Sequence, residues 1–109
     1  MDKPTAERLE FNRISTLLSE LPNVGPGKMM SSDGIRCNKK VFAFFHNNQM
    51  CFRLGKDYEI TQHQITEWQH LSPFKTKPPL TAWFYVPSQY IQHWEKLALI
   101  AKQNLAGSC

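Results

Sequence analysis

His63, Glu67 and His70 stand four and three residues apart, and on a continuous helix that spacing would align two imidazoles with a carboxylate, the donor set of a non-haem iron or zinc site. The same segment carries Ile65 and Trp68 as its apolar stripe, which leaves the three polar groups on a solvated face, so no metal is expected there. Cys51 is a second candidate, with His46 nearby and Arg53 two residues on. A thiolate nucleophile needs positive charge and an opening to solvent, whereas the apolar neighbours of Cys51 read as strand packing. A third candidate lies in "FKTKPPLTAWF", where Lys75 and Lys77 precede Trp83. Basic side chains beside an aromatic serve stacking on single-stranded nucleic acid. Trp83 and Phe84 alternate across a strand, so at most one could face a ligand, and lysines also keep a sheet edge soluble. GxSxG, HExxH, phosphate-loop and dinucleotide glycine patterns are absent, as are paired carboxylates. The expectation is a non-enzymatic chain with no catalytic residue and no cofactor. A nucleic-acid-associated role is the alternative, and a small Cys/His enzyme is the least favoured reading.

The elements that would position these groups follow from composition and periodicity. With 109 residues, 41% apolar and 20% charged, the chain suits one domain over residues 1–109 with a single core. A net charge of +4 is small for a nucleic-acid binder and is spread along the sequence. The start lacks an apolar secretory segment and no run is long enough to span a bilayer, so a cytoplasmic protein is expected, with no membrane partner. Cys37, Cys51 and Cys109 are odd in number and lack CxxC spacing, which indicates neither a disulfide framework nor a thiolate metal site.

From about Pro4 to Leu21, Leu9, Phe11, Ile14, Leu17, Leu18 and Leu21 recur at helical spacing, and Pro22 ends the run. "NVGPGK" reads as a turn-rich connection, and "MMSSDGIRC" as a weak first strand. "VFAFFHNNQMCFRL" reads as a hairpin folded at Asn47-Asn48, residues that tolerate the positive φ of a tight turn. "DYEITQHQITEWQHLSP" reads as a helix of about two turns with Thr61 and Gln64 at capping-box spacing. The prolines of "SPFKTKPP" make a loop. Leu80 to Val86 is a strand. A last helix carries Ile91, Trp94, Leu97, Ala98, Ala101 and Leu105 on one face, and Gly107 is its stop. The fold class is α+β, a two-layer domain in which the two terminal helices pack on a mainly antiparallel sheet, a three-strand meander plus a later strand.

Folding the hairpin at the asparagines gathers Val41, Ala43, Phe45, Met50, Phe52 and Leu54 on one apolar face, the expected core. The other face carries Phe42, Phe44, Cys51 and Arg53, joined across the meander by Ile35 opposite Phe42. An antiparallel sheet usually keeps one face wet, so Ile35, Phe42, Phe44, Cys51 and Arg53 are expected to form an interface. A symmetric homodimer is the simplest partner and an unidentified second protein another; the competing reading is intramolecular, with the short helix around Ile65 to Trp68, or the strand from Leu80 and its flanking loop, folded over the same face.

Several motifs are similar to the N-terminal domain family of TfoX-type competence regulators: "KMM" at Lys28 to Met30, "DGI" at Asp33 to Ile35, "KKVFAFFHNNQMCFRLGK" at Lys39 to Lys56, "PFKTKPPLTAWFYVP" at Pro73 to Pro87, and the closing tryptophan-containing helix. They span about Phe11 to Leu105. The family's large apolar residue and two glycines are replaced here by Met30-Ser31-Ser32. The resemblance implies a compact α+β domain without an established catalytic activity. Regulators of this type carry a second, C-terminal domain, which this chain lacks, so a competence role is not implied.

Overall fold

The computed structural model describes residues 5–29, 32–71 and 80–105. The first helix, α1, spans Ala6–Leu18. Thr5 caps it, its Oγ1 accepting the Arg8 amide at 3.0 Å and so satisfying one of the unpaired N–H groups of the first turn. Phe11, Ile14 and Leu18 are buried at three- and four-residue spacing. Leu9 and Leu17 were placed in that stripe by the coarse periodicity. They fall off it and are exposed, because at 100° per residue they cannot share the arc defined by the other three. The helix ends at Leu18, short of Leu21.

Six strands follow: β1 (Val24–Met29), β2 (Ser32–Cys37), β3 (Lys40–His46), β4 (Gln49–Arg53), β5 (Gln69–Leu71) and β6 (Leu80–Val86). Every pairing is antiparallel, in the order β1-β2-β3-β4-β6-β5. Asn47 and Asn48 both adopt positive φ, 51° and 64°, which joins β3 to β4 by the expected tight turn. That turn also anchors α1: Thr5 Oγ1 donates to Asn48 Oδ1 at 2.6 Å, and Asn48 Nδ2 donates to Glu7 Oε2 at 2.6 Å.

Two strands were not expected. β1 replaces the turn-rich reading of "NVGPGK", and its Pro26 is tolerable because β1 is an edge strand. Arg36 Nε donates to the Pro26 carbonyl at 2.9 Å, which blunts that edge. β5 takes the end of the segment read as a two-turn helix. Only a single 3-10 turn forms there, Ile60–His63, closed by Gln64 at φ 63°. The β-branched Ile60, Thr61, Ile65 and Thr66 crowd a helix, and extending the chain lets Gln69–Leu71 pair with β6.

After a 3-10 lead-in, Ser88–His93, helix α2 spans Trp94–Gln103. Both helices lie on one sheet face, where Phe11, Ile14 and Leu18 of α1 and Trp94, Leu97, Ala98 and Ala101 of α2 share a core with strand residues that include Met50, Phe52, Phe84 and Val86. This is an α+β fold with N- and C-terminal helices on an antiparallel sheet.

The meander register carries a correction. Ile35 pairs with Ala43 and Arg36 with Val41, so Phe42 is the extra residue of a β-bulge. Upstream of the bulge the alternation reverses: Phe42 and Ile35 join the helix-side core, and Val41 moves to the opposite face. Downstream, Phe45↔Met50 and Ala43↔Phe52 pair as expected. Gly34 is required beside this bulge, since a Cβ there would meet the Ala43 carbonyl oxygen at 2.7 Å and Phe44 Cβ at 3.1 Å.

Candidate functional site

The structure separates the histidine and carboxylate set. His63 Nε2 lies 2.5 Å from the Tyr58 hydroxyl. Burial, with Lys96 and His93 adding to it, pushes the His63 pKa down, and burial pushes that of Tyr58 up. These directions favour a neutral imidazole sharing one hydrogen bond with a neutral phenol, the donor being set by the imidazole tautomer. Glu67 Oε2 accepts from Gln89 Nε2 at 2.8 Å, and His70 Nδ1 sits 3.2 Å from the Trp83 carbonyl, beside the irregularity between β5 and β6. Each polar group satisfies a local need. Among the described residues no three His, Cys, Asp or Glu side chains gather as a ligand set.

Cys51 is buried between Phe44 and Trp83, and loss of solvent pushes its thiol far above the ordinary value. It stays protonated at neutral pH. His46 is two residue pairs away on the ladder, opposite Gln49, with its Nδ1 3.1 Å from Ser32 Oγ. No dyad forms. Cys37, read as a small strand residue, is disulfide-bonded, which corrects the expectation that no disulfide is indicated; Cys51 is a free cysteine.

The expected interface residues are internal. Ile35 and Phe42 lie in the helix-side core because of the bulge, while Phe44 and Cys51 form a second cluster with Trp83 on the opposite face. All four are at most 1% exposed in the single chain. Phe44 contacts Trp83 and Tyr85 at ring-centroid distances of 5.3 and 5.9 Å, and Met29, Val41, Ala82 and Tyr85 pack around the cluster. The second face is therefore filled by Phe44 of β3, Cys51 of β4, and Trp83 and Tyr85 of β6. Arg53 stands opposite Trp83, half-buried. Trp83 is 8% exposed, too little for a stacking platform, and Lys75 and Lys77 lie outside the described residues.

What the sequence did not single out is α1 with its two flanks. On the flank facing the β1–β2 hairpin, Arg8 Nη2 and Lys28 Nζ each reach one oxygen of Asp33 at 2.7 Å. Lys28 foremost, and Arg8 with it, hold the Asp33 carboxyl below its usual range. The Arg8 guanidinium also lies over the rings of Phe11 and Phe45, at 5.3 and 5.6 Å, which fixes its plane. These groups border a cleft of about 330 Å³. On the outer flank, Leu9 and Leu17 are 54% and 41% exposed, the large apolar side chains most open to water among the described residues. They line one shallow groove with Asn12, Arg13, Thr16 and Glu20. A strict helical projection of the sequence separates Leu9 and Leu17 from the buried stripe. Nothing in the sequence pairs Arg8 with Asp33, 25 residues apart.

Comparison with protein-family models, curated proteins and solved structures found no match to the chain. No helix among the described residues is long and apolar enough to cross a membrane.

Proposed function

We propose that this chain is a non-catalytic interaction module that engages a partner protein through the outer flank of α1. The observation that carries the reading is the exposed Leu9 and Leu17 in one groove, on a helix whose other large apolar residues, Phe11, Ile14 and Leu18, are buried. Water disfavours such side chains, and the two border a single groove along the helix. The groups best suited to chemistry support the same reading: Cys51 is sealed and protonated, and the histidines serve local hydrogen bonds.

Two leucines fall well short of the roughly 800 Å² per subunit that a lasting interface buries, so the partner is a short apolar segment bound transiently rather than a second copy. A symmetric pairing through Ile35, Phe42, Phe44 and Cys51 would need side chains that the single chain already buries. The motif resemblance to the TfoX N-terminal domain family agrees with a regulatory role and is part of this proposal. The disulfide at Cys37 turns the proposal away from the expected cytoplasmic location, since reducing compartments disfavour such bonds.

Crosslinking in the native host, comparing wild type with the Leu9→Ser/Leu17→Ser double variant, tests the reading. A partner crosslinked to wild type and lost from an equally stable variant supports it. A partner retained by the variant, or a wild-type dimer by sedimentation, overturns it.

A further inference from the structure

The inner flank of α1 carries a second, independent feature. Arg8, Asn12 and Ser15 recur at i, i+4 and i+7 and therefore form one stripe along the helix. Opposite them, the backbone of Gly27 and Gly34, paired across β1 and β2, forms part of the cleft wall. Arg8 spends Nη2 on Asp33, while its Nε and Nη1 make no side-chain bond among the described residues, and the same holds for the side chains of Asn12 and Ser15. The cleft thus gathers an amide and a hydroxyl that the fold does not consume, beside a guanidinium and an ammonium that each reach one oxygen of Asp33.

Charge narrows the ligand. Arg8 and Lys28 against Asp33 leave the rim one positive charge in excess, so a single carboxylate balances it, whereas a dianion would press against Asp33. The planar fork of Arg8 suits a carboxylate. A volume of about 330 Å³ is at the small end of ligand sites, which run from roughly 300 to 1,000 Å³. We infer that this cleft binds one carboxylate attached to a short amide-bearing body: the carboxylate on Arg8 and Lys28, and the neighbouring amide on Asn12 and Ser15. A peptide C-terminus and a glutamate or aspartate side chain both present that chemistry.

The test is an NMR titration of the intact chain, following the amides of Gly27 and Gly34. The probes are N-acetyl-alanyl-alanine as the free acid, the same dipeptide as its C-terminal amide, an N-acetyl-glutamate α-amide and inorganic phosphate. The expected result is saturable shifts with a carboxylate probe and none with the dipeptide amide, the tighter of the two carboxylates identifying the source. Arg8→Gln should weaken binding about tenfold. Lys28→Gln, at an exposed position that leaves the core intact, should weaken it about threefold. Leu9→Ser/Leu17→Ser should leave it unchanged, so failure here is separable from failure of the outer-flank proposal. Absence of saturation at tens of millimolar, equal shifts with the amide, equal affinity for phosphate, or indifference to Lys28→Gln in a folded protein would each overturn the inference.

Discussion

Helices α1 and α2 lie on the same sheet face and are of similar length, yet they spend their apolar residues differently. In α2, Trp94, Leu97, Ala98 and Ala101 are wholly inside. In α1, Phe11, Ile14 and Leu18 are inside while Leu9 and Leu17 face water. A helix needs about one stripe of apolar residues to hold it on a sheet. The surplus on α1 is the part that stability does not explain, and α1 also borders the charged cleft. On the proposed reading, α2 holds the fold, and α1 both holds it and meets other molecules.

The largest expected effects break the α2 side. Trp94→Ala should cost about 3 to 5 kcal/mol in chemical denaturation, as for emptying any buried aromatic site, and Phe52→Ala, beneath the helices, should cost a similar amount. Trp94→Phe should be far milder than Trp94→Ala, because the Trp94 Nε1–H is buried with no hydrogen-bond partner among the described residues and its loss removes an unpaired donor. If Trp94→Phe destabilises as much as Trp94→Ala, that donor has a role that the packing does not reveal.

A moderate effect concerns acid. The His63 pKa is lowered by burial, Lys96 and His93, so as pH falls below the ordinary histidine value of 6.5 the unfolded chain takes up a proton before the folded one. Stability is full above that value and declines below it until the folded imidazole is itself protonated. Protonation also makes Nε2 a donor, so the Tyr58 hydroxyl can then only accept from it. Unfolding midpoints of wild type and His63→Asn between pH 7 and 5 should converge on acidification; parallel curves would count against a neutral His63.

The smallest stability effects belong to α1. Leu9→Ser and Leu17→Ser should each change stability by less than about 0.5 kcal/mol, with any loss seen only in association. Arg13 bridges Glu10 on α1 and Glu95 on α2, at 2.6 and 2.8 Å. It is largely exposed, so Arg13→Ala should cost about 0 to 1 kcal/mol and less in high salt. A larger loss from either set would mean that the outer flank of α1 holds the fold together, and the contrast between the helices would fail.

The sequence by itself determined the fold class, the hairpin at Asn47-Asn48, strand β6 and the buried face of α2. These depend on local signals: turn residues that accept positive φ, strict alternation, and apolar spacing close to 3.6. Tertiary structure alone decided the rest. The bulge at Phe42 reversed the faces of Ile35, Phe42 and Val41, because one extra residue changes the parity of a strand and no local signal marks where a partner strand will slip. Strands β1 and β5 exist because a neighbouring edge offered hydrogen bonds that glycine, proline or a short polar run would not have sought alone. The outward leucines of α1 were within reach of a strict helical projection, whereas the Arg8–Asp33–Lys28 cleft was not: charges 25 residues apart meet only once the sheet has folded between them.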